Sequence, residues 1–92
     1  MNLRSQKIAQ NICTIARRLY DRNMLAAGDG NISFRVSDDE ILITPSGVSK
    51  AFITVDDFAV ITLDNQVLKG NPSTERLMHL EVYKKCPLAR AV

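Results

Sequence analysis

The spacing of apolar residues changes along the chain, and each change marks an element. From Leu3 to Arg22, the residues Ile8, Ile12, Ile15, Ala16 and Leu19 fall on one face of an amphipathic helix. "AAGDGN" (Ala26 to Asn31) breaks that period with two glycines and reads as a turn. Ile32, Phe34 and Val36 then alternate with Ser33 and Arg35, which is the period of a strand. "SDDE" turns the chain and "ILIT" returns it, predicting a hairpin. "PSG" (Pro45 to Gly47) is a second tight turn. Thr54 and Asp57 have capping-box spacing for a short helical turn ahead of a strand over Phe58 to Leu63. Asp64-Asn65 reverses the chain into a short strand, Gln66 to Lys69. Ser73 or Thr74 is expected to cap a second helix that runs to about Cys86, where Pro87 stops it. "LARAV" (Leu88 to Val92) reads as the opening of another apolar strand. The 92 residues are therefore expected to be one domain, 1–92, and the N-terminal portion of something larger.

Composition narrows the class without naming a chemistry. At 46% hydrophobic and 24% charged, the chain is ordinary for a globular protein. A net charge of +2 with scattered basic residues argues against nucleic acid. No run approaches the roughly 18 to 20 apolar residues of a membrane span, and the polar N-terminus lacks the apolar core of a signal peptide. Cys13 and Cys86 have no metal-ligand spacing and read as buried free thiols in a reducing compartment. The expected location is the cytoplasm.

The candidate chemistry lies in three connections built from small residues: Gly28 to Asn31, Thr44 to Gly47, and Asn71 to Thr74. Glycines, hydroxyls and exposed backbone N–H groups are what an anion site uses. The third loop also opens a helix, whose start carries partial positive charge. Taken singly, each loop is explained as well by turn or cap chemistry, and Glu75 by a favourable place beside the helix dipole. Spacing alone does not show that the three meet. Glu75 and His79 share a helix face and could supply two metal ligands, although a histidine in an apolar helix more often packs or makes a structural hydrogen bond.

Four stretches, "AGDGNISFR", "ILITPSG", "VITLDNQVLKGNPSTE" and "CPLARAV", follow one another in the order and spacing of the class II aldolase/adducin family, which the chain resembles from Arg17 onward. The resemblance implies an α/β fold in three layers, with a central, mostly antiparallel sheet flanked by helices. It implies a zinc-dependent aldolase-type lyase of the L-fuculose-phosphate aldolase kind, cleaving a carbon–carbon bond in a sugar phosphate through a metal-stabilised enediolate. The substrate phosphate would be held by Asn31, by Ser46 and Gly47, and by Ser73 and Thr74. Glu75 would be the catalytic acid/base and a possible metal ligand. The family's histidine ligands are expected beyond Val92, so the 92 residues alone are expected to bind no zinc and to be inactive. Asp29 stands where many members carry serine or threonine, and its carboxylate would repel a phosphate unless it points away. A homotetramer is implied as well. The alternatives are an epimerase or dehydratase of the same fold, or a non-catalytic adducin-like binding module.

Overall fold

The computed structural model describes residues 1–25 and 29–92. Helix α1 (Leu3–Asp21) is capped by Asn2, whose side-chain oxygen accepts from the Ser5 N–H at 2.8 Å. Strands β1 (Ser33–Arg35), β2 (Glu40–Ile43), β3 (Ala59–Thr62) and β4 (Val67–Lys69) form an antiparallel sheet in chain order. Two short 3₁₀ turns, Lys50–Phe52 and Val55–Asp57, lie between β2 and β3, and α2 (Arg76–Lys85) follows β4. Residues 90–92 lie along the free edge of β1. The Ser33 N–H donates to the Val92 carbonyl at 2.8 Å, and the Arg35 N–H to that of Arg90 at 2.7 Å. Of the strand expected at "LARAV", the structure forms an isolated antiparallel bridge between Phe34 and Ala91.

The sheet is covered on both faces. On one, Ala9 and Ile12 of α1 pack with Leu42, Ile53, Phe58 and Val60. On the other, Leu80 and Tyr83 of α2 pack with Ile41, Ile43, Ala59 and Ile61. Successive strand residues point to opposite faces, so β2 and β3 need apolar residues at nearly every position. That is why "ILI" and "AVI" read as unbroken runs. The result is the three-layer α/β arrangement, with four strands and two α-helices among the described residues.

Local chemistry sets the turns. Asn65 has φ 65° and closes the β3–β4 reversal, its N–H donating to the Thr62 carbonyl at 2.9 Å. The Asp57 carboxylate accepts from the Thr54 N–H at 2.8 Å, as the capping-box spacing anticipates.

Three details differ from the sequence reading. The buried face of α1 is Ser5, Ala9, Ile12 and Ala16, while Ile15 is exposed: small residues let the helix lie close on the sheet. Helix α2 opens at Arg76 with Glu75 as the cap residue, rather than Ser73 or Thr74. Ser73 instead closes the turn before it, accepting from the Glu75 N–H at 3.1 Å. Both cysteines are free as expected, but Cys86 is exposed where the helix ends, and Cys13 is only half-buried.

Candidate active site

Thr44, fully buried at the end of β2, is where the three loops are tied together. Its N–H donates to the Ile32 carbonyl at 3.0 Å, and its hydroxyl accepts from the Ile32 N–H at 3.1 Å, which fixes the Asn31 loop. Its carbonyl accepts from the Ser73 N–H at 3.1 Å, and the Ser46 N–H donates to the Asn71 carbonyl at 3.0 Å, which fixes the loop before α2. Pro45 and Pro72 lie opposite each other in an antiparallel bridge. Buried backbone groups must find partners, and here each loop supplies those of the next.

The loops so tied line one polar cleft of about 210 Å³. Asp29, Gly30 and Asn31 come from the first loop, Pro45, Ser46 and Gly47 from the second, and Ser73, Thr74 and Glu75 from the third. Every predicted site residue is therefore brought to the same place. Gly28, at the start of the first loop, lies outside the described residues. Gly47 has φ +73° with open space around its α-carbon, which leaves its backbone accessible at the rim.

Some of the backbone donors that the sequence suggests are spent within the loops. The Ser73 and Ser46 N–H groups are engaged by carbonyls, and that of Glu75 by the Ser73 hydroxyl oxygen. The hydroxyl hydrogens of Ser46, Ser73 and Thr74, together with the Asn31 amide, are the side-chain donors an anion would meet.

Lys50 also lines the cleft, and the sequence reading did not single it out. It is 3% exposed, and its ammonium donates to the Val48 carbonyl at 2.8 Å. Burial pushes its pKa below the usual lysine value, and the nearby Asp29 carboxylate pushes it back up. The negative charge expected to trouble a phosphate is thus accompanied by a cation. One lysine in "VSK" gives no sequence signal among twelve lysines and arginines; only folding places it here.

His79 sits under the cleft rather than in it, 1% exposed. Its Nε2 is hydrogen-bonded to the Asn31 Oδ1, and its Nδ1 to the Ser33 hydroxyl at 2.7 Å. The same hydroxyl is 2.7 Å from the Tyr83 phenol oxygen. Burial lowers the pKa of His79, against a smaller opposing influence from Glu75. The packing reading of His79 therefore holds. With both ring nitrogens engaged, it is not placed to join Glu75 in holding a metal. Among the described residues, no group of three histidine, cysteine, aspartate or glutamate side chains could hold a metal ion. These residues do not make a zinc site, which takes three or four protein ligands.

An antiparallel sheet between helices, with a polar three-loop cleft at one end, defines the class of the chain as α/β. The family model for the class II aldolase and adducin N-terminal domain matches residues 10–92, and the chain belongs to that family. It is 41% identical over 71 residues to L-fuculose phosphate aldolase of Methanocaldococcus jannaschii, covering 77% of this chain and 39% of that protein. It is 35% identical over 79 residues to 3-oxo-tetronate 4-phosphate decarboxylase of Haemophilus influenzae, covering 85% and 38%. The crystal structure of YgbL from Escherichia coli superposes with a TM-score of 0.90 at 26% identity, covering 95% of this chain and 42% of that one. The chain spans about two-fifths of the length of these relatives.

Proposed function

We propose that the chain supplies the phosphate cleft and the proton-moving Glu75 of an aldolase-type carbon–carbon lyase acting on a sugar phosphate. The observation that carries this reading is the convergence of hydroxyls, an amide, a lysine and one carboxylate on a single cleft. Ser46, Ser73 and Thr74 donate through their hydroxyls, Asn31 through its amide and Gly47 through its backbone. Lys50 supplies positive charge. Anchoring the phosphate at the closed end holds the sugar in one orientation and so removes an entropic part of the barrier. When the carbon–carbon bond breaks, the hydroxyl on the departing carbon becomes the aldehyde C=O and gives its proton to water, and the bond's electron pair is left on the carbon next to the carbonyl. Glu75, protonated, delivers a proton there; in the condensation direction its carboxylate removes that proton.

Zinc dependence enters this proposal through the family resemblance alone, and the described residues offer a metal at most Glu75. Among the described residues, no helix is long and apolar enough to cross a membrane. A cytoplasmic location and a homotetramer belong to the proposal on the same footing. The decarboxylase relative supports a second reading, in which the same cleft anchors a sugar acid phosphate that loses carbon dioxide.

The test is titration of the protein with inorganic phosphate, followed by backbone amide NMR, alongside turnover of L-fuculose 1-phosphate by the whole lyase to which this chain would contribute the cleft. The Gly47 and Thr74 amides should shift together. Lys50→Met should weaken binding about tenfold or more, the effect of losing one charged partner. Glu75→Gln should leave phosphate binding nearly unchanged while lowering turnover by roughly 10² to 10⁴. If phosphate leaves both amides unmoved, the reading fails.

A further inference from the structure

We infer that His79 is a positioning residue for the anion cleft: a one-way chain of buried hydrogen bonds makes it turn the Asn31 amide so that the NH₂ group, not the carbonyl oxygen, faces the ligand. The inference rests on the proposed reading of the cleft as a phosphate site. It starts from the far end of the chain. The Tyr83 phenol oxygen lies 2.7 Å from the Ser33 hydroxyl, and the Val92 N–H is spent on the Ser33 carbonyl. A hydroxyl carries a single hydrogen. The buried Tyr83 hydroxyl has Ser33 as its partner and so gives its hydrogen to it, and Ser33 passes its own to His79 Nδ1 at 2.7 Å. With Nδ1 accepting, the neutral ring carries its hydrogen on Nε2, which donates to Asn31 Oδ1. The amide oxygen is thereby held inward, and the NH₂ group of Asn31 is left for the cleft that Asn31 lines.

The reversed chain fails at both ends. Tyr83 would accept from Ser33, with its own hydrogen unplaced in a site 1% exposed. The bare Nε2 would pull the amide round and present a carbonyl oxygen to an anion. Among the described residues, no buried side-chain nitrogen or oxygen lacks a partner, so no loose group is available to absorb a reversal.

Long-range ¹H–¹⁵N NMR of the histidine-labelled protein reads the tautomer directly, and inorganic phosphate is the binding probe. The inference expects the Nε2–H form, and an Asn31 side-chain NH₂ signal that shifts with the same affinity as the Gly47 amide. Ser33→Ala, which breaks the chain but keeps His79, should mix the tautomers and weaken phosphate binding three- to tenfold. A purely structural His79 predicts unchanged affinity. An Nδ1–H ring, or an Asn31 NH₂ that stays still while Gly47 responds, overturns this inference and leaves the phosphate site standing. Loss of response at every cleft amide overturns both.

Discussion

The buried ring of His79 ties the stability of the fold to pH as well as organising the cleft. Burial is the main cause of its lowered pKa, so folding disfavours the protonated ring. In the interval between the folded pKa and the ordinary value of 6.5, the unfolded chain therefore binds more protons than the folded one. This contribution to stability is complete above 6.5, falls as pH drops through that interval, and levels off once the folded ring also titrates. Urea midpoints measured across that range should fall towards acid in the natural protein. The component should vanish in His79→Gln, whose side chain does not titrate; an identical pH profile in the variant would rule His79 out as its source. Lys50 marks the opposite limit at this scale. Nothing in its neighbourhood in the chain distinguishes it, and its role follows only from where the second loop carries it.

At the level of elements, the loop entering α2 depends on a close approach that glycine permits. Gly70 has φ +77°, and a β-carbon there would stand 2.9 Å from the Phe58 carbonyl oxygen and 3.0 Å from the Ala59 α-carbon. Both are backbone atoms at the start of β3 and cannot yield without disturbing the sheet. Gly70→Ala should cost more than about 2 kcal/mol. Gly47 has nearly the same φ, +73°, but open space around it, so Gly47→Ala should cost only the conformational term, about 1 to 2 kcal/mol. Equal losses in urea denaturation would mean that the backbone angle, and not the contact, sets the requirement. Strand β1 makes the related point about faces. Its alternation is plain, yet the nominally polar side is the more deeply buried: Ser33 is fully buried and Arg35 is 8% exposed. Arg35 donates to the Tyr83 carbonyl at 2.7 Å and lies 5.0 Å over the Tyr83 ring, so it binds the last turn of α2 to the sheet.

Across the whole molecule, the sheet is sandwiched and the cleft opens at one end, but some apolar surface stays uncovered. Leu77 and Met78 on α2 are 62% and 55% exposed, and Leu68 on the edge strand β4 is 55% exposed. If the proposed homotetramer forms, light scattering after size exclusion should give four times the chain mass. Leu77→Lys with Met78→Lys should lower that mass if α2 faces a neighbour; a monomer in the natural protein would reject the assembly.

The elements were legible because hydrophobic period and turn chemistry are local: the 3.6-residue face of α1, the alternation of β1, the capping box at Thr54 and the reversal at Asn65 each act within a few residues. The candidate site residues were legible as a motif series for the same reason. Three things were decided only by the tertiary structure: that three separate loops close on one cleft around Thr44, that Lys50 joins them, and that the polar side of β1 is buried under α2 to carry hydrogen bonds from Tyr83 to Asn31. Each depends on which surfaces pack together over long separations in sequence, and that is settled by the joint burial of apolar faces and the pairing of polar groups trapped between them.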